Sequence, residues 1–479
     1  MKRKFFTNIS LLLVLNIIIK AFWVLGIDRS VQNLVGSDEY GLYFSLFGFS
    51  ILFTILLDFG LTNYNNRSIS GNPSLLTEMI GNIFLIRIAF AVLYLVISLS
   101  VATLIGYSGR QMSILYVLMA NQFLASFILY LRSNLAALQL FRVDSILSVT
   151  DRFIMIIVCS FLIWGGIRDE IFRIEWFVYC QTAGYGLTFI VSLLLVVAKG
   201  AIKSISFSTS EVINILKGSA PFALLALFMS VYWRIDTVML ERMLNDGTIQ
   251  AGIYAQSFRL LDAAAMIPYL FSVILLPMYS RMFSRKEQVS ELVRFSLVLL
   301  LIPSIAATII SVEYPYDIME MLYISHVDES SVLLAILMCS YIPVSMVYLF
   351  STLLTALGKL KTMNLIAAGG MLLNILLNFI MIPNWQAKGS AIATVSTQIL
   401  MAVCFLVYAT RFTRLFPGKK LIFQIISYIA LMILVPLFLK QTGISGLVSM
   451  TITGITALLL PLVLRLIRYA DLAKLFSQS

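Results

Sequence analysis

Apolar runs of about twenty residues recur from one end of this chain to the other, and ten charged side chains lie inside them. A run of that length spans the hydrocarbon core of a bilayer as one helix. Lys20, Arg87, Arg132, Arg152, Arg234 and Arg259 are the basic members of the set; Asp58, Asp151, Asp236 and Asp262 are the acidic ones. A charge at membrane depth costs roughly 2.5 to 3.5 kcal/mol on insertion scales unless it meets a partner or a wet cavity. Ten such charges imply a polar interior between helices. The excess of basic groups, six to four, implies that what enters is anionic.

Composition closes off the alternatives. The 479 residues are 60% hydrophobic and only 12% charged, with a mean hydropathy of +0.96. Soluble domains carry about 25% charge, so the expected fold class is an all-α polytopic membrane protein. Continuous rather than alternating apolar runs exclude an outer-membrane barrel. The net charge of +11 does not point to nucleic acid, because the basic residues cluster at span ends, where they set orientation.

Fourteen spans are expected: 5–27, 40–63, 79–106, 113–135, 146–166, 174–199, 216–242, 250–280, 288–312, 331–357, 362–382, 387–410, 420–440 and 443–467. The opening MKRK and its apolar run look like a signal peptide, but no small-residue cleavage site follows, so a retained first span is expected. With the N-terminus inside, 21 Lys and Arg fall on the cytoplasmic side and 7 on the outer side. That bias predicts two cytoplasmic termini.

Every connection is short, with no room for a folded domain of about 50 residues. No P-loop, HExxH, GxSxG or paired Cys and His occurs, so no enzyme, cofactor or metal centre is expected. Cys159, Cys180, Cys339 and Cys404 all lie in apolar spans, as small fillers do. The single histidine, His326, is in a loop.

Two segments echo each other. Trp23, Ile27-Asp28 and Gly41-Leu42-Tyr43 correspond to Trp233, Ile235-Asp236 and Gly252-Ile253-Tyr254. Ala137–Arg142 similarly corresponds to Ala356–Lys361. Both offsets equal six spans. An even number keeps the topology, so the halves would be related by an axis along the membrane normal, with a cavity at their interface.

The stretch FWVLGIDRSVQNLVGSDEYGLYFSLF with LLDFGLTNYNNRSIS resembles the start of polysaccharide-transport flippases of the multidrug/oligosaccharidyl-lipid/polysaccharide (MOP) exporter superfamily. PFALLALFMSVYWRIDTVML with GIYAQSFRLLDAAAMIPYLFSVILLPMYSR resembles the start of their second half. The resemblance covers about the first 410 residues. It implies two six-helix lobes in a V, here 1–199 and 200–415, with two added spans in 416–479. It further implies alternating access and a substrate of undecaprenyl-pyrophosphate-linked oligosaccharide, an O-antigen (lipopolysaccharide), capsule or teichoic-type repeat unit. The place implied is the bacterial inner membrane, with functional coupling to a polymerase and glycosyltransferases.

Among the charges, Arg234 and Arg259 are the leading candidates for pyrophosphate contact, since a guanidinium fork binds phosphate bidentately. Lys20 and Arg87 complete the expected cationic cavity. Asp58, Asp236 and Asp262 are candidate ion-coupling groups or charge partners. Arg259 and Asp262 share a helix face at i, i+3, and Asp58 and Arg87 sit at similar depth in adjacent spans. Arg132, Asp151 and Arg152 are expected as interfacial anchors. Trp23 and Trp233 are candidate sugar-stacking rings. Two other functions compete. A cation-coupled multidrug exporter of the MATE type predicts an acid-dominated cavity and twelve spans, and an oligosaccharide polymerase or ligase needs a large outer loop with catalytic Arg or His.

Overall fold

The structure is a computed structural model that describes residues 16, 18–62, 65, 69, 76–138, 140–165, 172–199, 209–413 and 418–466. All regular structure among the described residues is helical. This is what the bilayer demands of such a composition, because a helix satisfies its own backbone polar groups. Most of the first expected span, 5–27, lies outside the described residues.

A π-helical turn, Trp23–Asp28, leads into α1 (Arg29–Leu52) and the short α2 (Ile55–Asp58). Then follow α3 (Leu76–Leu104), α4 (Gly109–Ala137), α5 (Phe141–Trp164), α6 (Ile174–Val197), α7 (Thr209–Met243) and α8 (Gly247–Ser284). The remainder comprises α9 (Ser290–Glu313), α10 (Pro315–Leu322), α11 (Val327–Met338), α12 (Tyr341–Ala356), α13 (Leu360–Thr413), α14 (Lys419–Gln441) and α15 (Gly446–Val463).

Among the described residues, eleven helices are long and apolar enough to cross a membrane. The 54-residue α13 has length for two crossings, about 80 Å against a core of about 30 Å. It breaks at Gln386 (φ 49°, ψ −135°), between the expected spans 362–382 and 387–410. α1 breaks likewise at Gly36 (φ 79°, ψ 171°), a conformation that glycine adopts without a Cβ penalty. The junctions between these spans are therefore single-residue breaks rather than loops. α11 and α12 together form the tenth span, interrupted at Cys339 and Ser340.

The chain divides into two compact units, Met1–Gly252 and Ile253–Ser479. In the first, α4 packs on α6, α5 on α6, and α1 on both α4 and α7. Its inner core joins Leu61, Ile83, Ile86, Tyr130, Leu131 and Leu147. In the second, α12 packs on α13 and α9, and α14 and α15 pack on each other. Tyr428, Met432 and Ala457 dock those last two helices on Leu301, Ile305 and Ile309 of α9. Each unit turns its polarity inward. Asn121, Gln181, Asn374, Asn378, Thr397 and Gln398 are buried, whereas Val96, Leu104, Phe423, Phe438 and Leu458 are exposed. That inversion suits a solvent of lipid tails.

Candidate polar interior

The polar interior of the first unit is built in tiers along α1. Furthest in, Arg87 of α3 is fully buried and donates to Asp58 at 2.7 Å. It also donates to Thr62 Oγ1 (3.1 Å) and to Ser126 Oγ (2.8 Å), and its guanidinium lies over Phe127 and Tyr130. Asp58 in turn accepts the backbone N–H groups of Gly60 and Thr62, both at 3.1 Å. The expected Asp58–Arg87 pair is present. It pins the turn at Phe59 and Gly60, both at positive φ, where α2 ends.

Around Trp23 the structure gathers Lys20, Arg132, Asp151 and Arg152. Trp23 stacks on Phe177 (5.5 Å between centroids, 10° between planes), and the Arg152 guanidinium lies 5.2 Å from the indole. Arg152 also donates to Tyr185 Oη at 3.1 Å and is 3.9 Å from Asp151. Arg132 is bound to Asp144 at 2.8 Å. The two expected anchors thus have partners within the protein. An aromatic face and a carboxylate on neighbouring helices give each cation a partner inside the protein.

A tier outward, Asp28 is fully buried. Its two oxygens accept Tyr40 Oη at 2.8 and 2.9 Å, and one accepts Gln32 Nε2 at 3.3 Å. Tyr43 accepts Gln181 Nε2 at 2.8 Å, and Tyr40, Tyr43, Phe44 and Phe47 form a continuous aromatic face on α1. Arg234 of α7 stands over Phe47 at 5.9 Å, and Asp236 is buried beside it in sequence. Trp233 meets Tyr232 edge-on at 6.1 Å.

Sequence reasoning passed over Asp28 because it fell at the end of the first expected span. Yet the Ile-Asp echo had already paired it with Asp236. With Asp28, Asp144 and Glu241 added to the acids and Arg242 to the bases, each sign numbers seven, so the excess of six to four does not survive. Which charges face substrate, rather than their number, sets the polarity of a site.

At the N-terminal ends of α4 and α6, Arg110 clamps Glu39 with two bonds (2.7 and 2.6 Å) and reaches Glu175 at 2.6 Å. Glu241 is held by Arg242 and Gln111. In the second unit Arg259 and Asp262 approach to 4.0 Å on one face of α8. Tyr254 reaches Thr394 at 3.3 Å, and Asn378 donates to Asn374 at 3.2 Å. No group of three or more His, Cys, Asp or Glu suited to a metal occurs among the described residues.

Residues 6–283 match the family described as polysaccharide biosynthesis protein. No curated protein matches the chain by sequence. Among solved structures, the fold is similar to a lipid II flippase, MurJ, in an inward closed conformation. The TM-score is 0.71 at 18% identity, covering 95% of this chain and 99% of that one. An inward-facing multidrug resistance MATE transporter of the MOP superfamily gives 0.62 at 12% identity, covering 82% and 94%. A MOP transporter from Pyrococcus furiosus, described as having a binding pocket of reverse polarity, gives 0.57 at 12% identity, covering 85% and 94%.

Proposed function

The chain belongs to the polysaccharide biosynthesis protein family, and we propose that it is a flippase for undecaprenyl-pyrophosphate-linked oligosaccharide repeat units. It is a multi-pass membrane protein with the fold of the MOP exporter superfamily. In this reading it sits in the bacterial inner membrane with both termini cytoplasmic, and moves the headgroup outward by alternating access.

The observation that favours a flippase over a drug exporter is the reach of the similarity. The flippase superposition leaves out 5% of this chain, too little to hold both C-terminal helices of 23 and 18 residues. The MATE transporter leaves out 18%. A substrate with a long prenyl tail gives two added helices a use that a small drug does not.

Arg234, Arg259 and Lys20 are the residues proposed to bind the pyrophosphate. A guanidinium offers planar, charge-assisted donors to phosphate oxygens in a setting from which bulk water is thinned. Trp233 offers a ring to the sugars, whereas Trp23, buried between Phe177 and Arg152, is assigned to the framework. Arg87 is assigned to the framework, because Asp58, Thr62 and Ser126 already use its donors. Asp236 and Asp262 remain the proposed charge partners.

The test is leaflet exchange in proteoliposomes carrying a labelled undecaprenyl-pyrophosphate oligosaccharide, read by access of an external glycosidase. Exchange that needs the protein, and that Arg234→Ala abolishes at normal protein level, supports the reading. Efflux of cationic dyes with no exchange would move the chain to the drug-exporter class.

A further inference from the structure

We infer that Glu241 and Arg242 form a latch that holds the outer end of α7 shut against α1 and α4. The inference deepens the flippase reading and rests on it for which end is outer.

The latch is made of few parts. Glu241 is the third residue from the C-terminal end of α7, and its side chain is 3% exposed. One carboxylate oxygen accepts Gln111 Nε2 of α4 at 3.0 Å, and the other faces Ser45 Oγ of α1 at 3.5 Å. Arg242 grips both oxygens through Nε and Nη2. Its remaining nitrogen donates to the Ile105 carbonyl at 3.3 Å, and its guanidinium covers Tyr107 at 4.2 Å. Tyr107 packs edge-on against Phe49 of α1 at 5.3 Å. Two adjacent side chains therefore join α7 to α1, to α4 and to the connection between α3 and α4.

Beside the latch, α1 and the start of α8, the helix that follows α7, meet through bare backbone. A Cβ on Gly41 would lie 1.8 Å from the Thr248 carbonyl oxygen, and one on Gly252 would lie 1.9 Å from the Ser37 carbonyl oxygen. Thr248 is four residues before Gly252, and Ser37 is four before Gly41. Each glycine thus meets the carbonyl one turn before the other. Such reciprocity is the mark of a local twofold contact. A glycine-to-backbone contact interlocks no side chains, so it separates without repacking. Something else must hold it closed, and the polar rung at Glu241 is the nearest candidate. Arg242 is 24% exposed, so water can take over its bonds as the rung opens. Arg110 ties α1, α4 and α6 together through Glu39 and Glu175, giving the latch a rigid plate to close upon.

Thr237 reports on the latch. It is buried one turn inward of Glu241 and touches Gly48 of α1. With Cys159, Cys180, Cys339 and Cys404 replaced by Ala, Thr237→Cys in right-side-out vesicles should react slowly with an impermeant maleimide added outside. Glu241→Gln and Arg242→Gln should each raise that rate about tenfold, the effect of losing roughly 1.4 kcal/mol of closure. An unchanged rate in both variants overturns the latch. Separately, the oxidised Ser45→Cys/Glu241→Cys pair should stop leaflet exchange and recover on reduction, its reduced form serving as the control for folding. Exchange by the oxidised pair also overturns the latch. Labelling needs no substrate, so faster labelling in a protein that never exchanges lipid would fault the flippase reading and leave the latch standing.

Discussion

At the scale of single residues, the most constrained group is Arg87. Its guanidinium is fully buried, and Asp58 is its charged partner at 2.7 Å. Removing one partner of a buried pair strands the other charge and costs about 3–5 kcal/mol, whereas replacing both with apolar groups is often close to neutral. Arg87→Met should therefore lower the thermal midpoint in detergent sharply. The double variant Arg87→Met/Asp58→Leu should recover part of the loss. A double variant less stable than the single would show that Asp58 matters mainly as the cap of Gly60 and Thr62. Arg234→Ala and Arg259→Ala should behave in the opposite way, with normal protein levels and transport reduced to background in a vesicle assay.

Residue pairs were legible in the sequence only where depth gave them away. Asp58 and Arg87 lie at matching positions in consecutive spans, and Arg259 and Asp262 share a helix face. Arg110 with Glu39 and Glu175 was not legible, since its partners are 71 and 65 residues distant and meet only through helix packing. The partners of Arg152 were not legible for a related reason. Sequence gives distance from a span end, but not the neighbouring ring that a side chain turns toward.

At the scale of elements, hydropathy located the helices well, because a 20-residue apolar run has few other solutions in a bilayer. It also placed both breaks, since Gly36 and Gln386 fall in the gaps between expected spans, but it could not give their form. Gly36 and Gln386 interrupt helices through the torsions of a single residue, where hydropathy suggests a loop. Glycines carry the sharpest prediction here. Gly48→Leu would set a side chain 2.8 Å from Thr237 Oγ1 and 3.2 Å from the Arg234 carbonyl, driving α1 away from α7. Gly41→Leu meets backbone and has no rotamer that escapes. Both should abolish folded protein on size exclusion. Gly186→Ala and Gly369→Ala, whose added methyl meets nothing within 4 Å, should behave as wild type. Equal tolerance at all four sites would contradict the packing of α1 on α7 at Gly48 and on the start of α8 at Gly41.

At the scale of the whole molecule, the threefold bias of Lys and Arg predicts an orientation that can be tested directly. Single cysteines in place of Arg110 and Asp246 should react with an impermeant reagent outside intact cells. Those in place of Arg285 and Lys359 should react only after permeabilisation. The reversed pattern would put the Glu241 latch on the cytoplasmic side. The class of molecule followed from composition, and its family from patches in α1, α7 and α8. The substrate did not follow, because no fixed spacing encodes recognition of a sugar.

The flippase assignment itself rests on one event, passage of a pyrophosphate-linked glycan from one leaflet to the other. The direct measurement is glycosidase access to a labelled undecaprenyl-pyrophosphate oligosaccharide in sealed proteoliposomes, with the chain intact and with Arg234→Ala. Substrate beyond the half initially exposed should become accessible with the intact chain and stay protected with the variant. Protection of that inner half by the intact chain, under every ion gradient applied, would contradict the assignment.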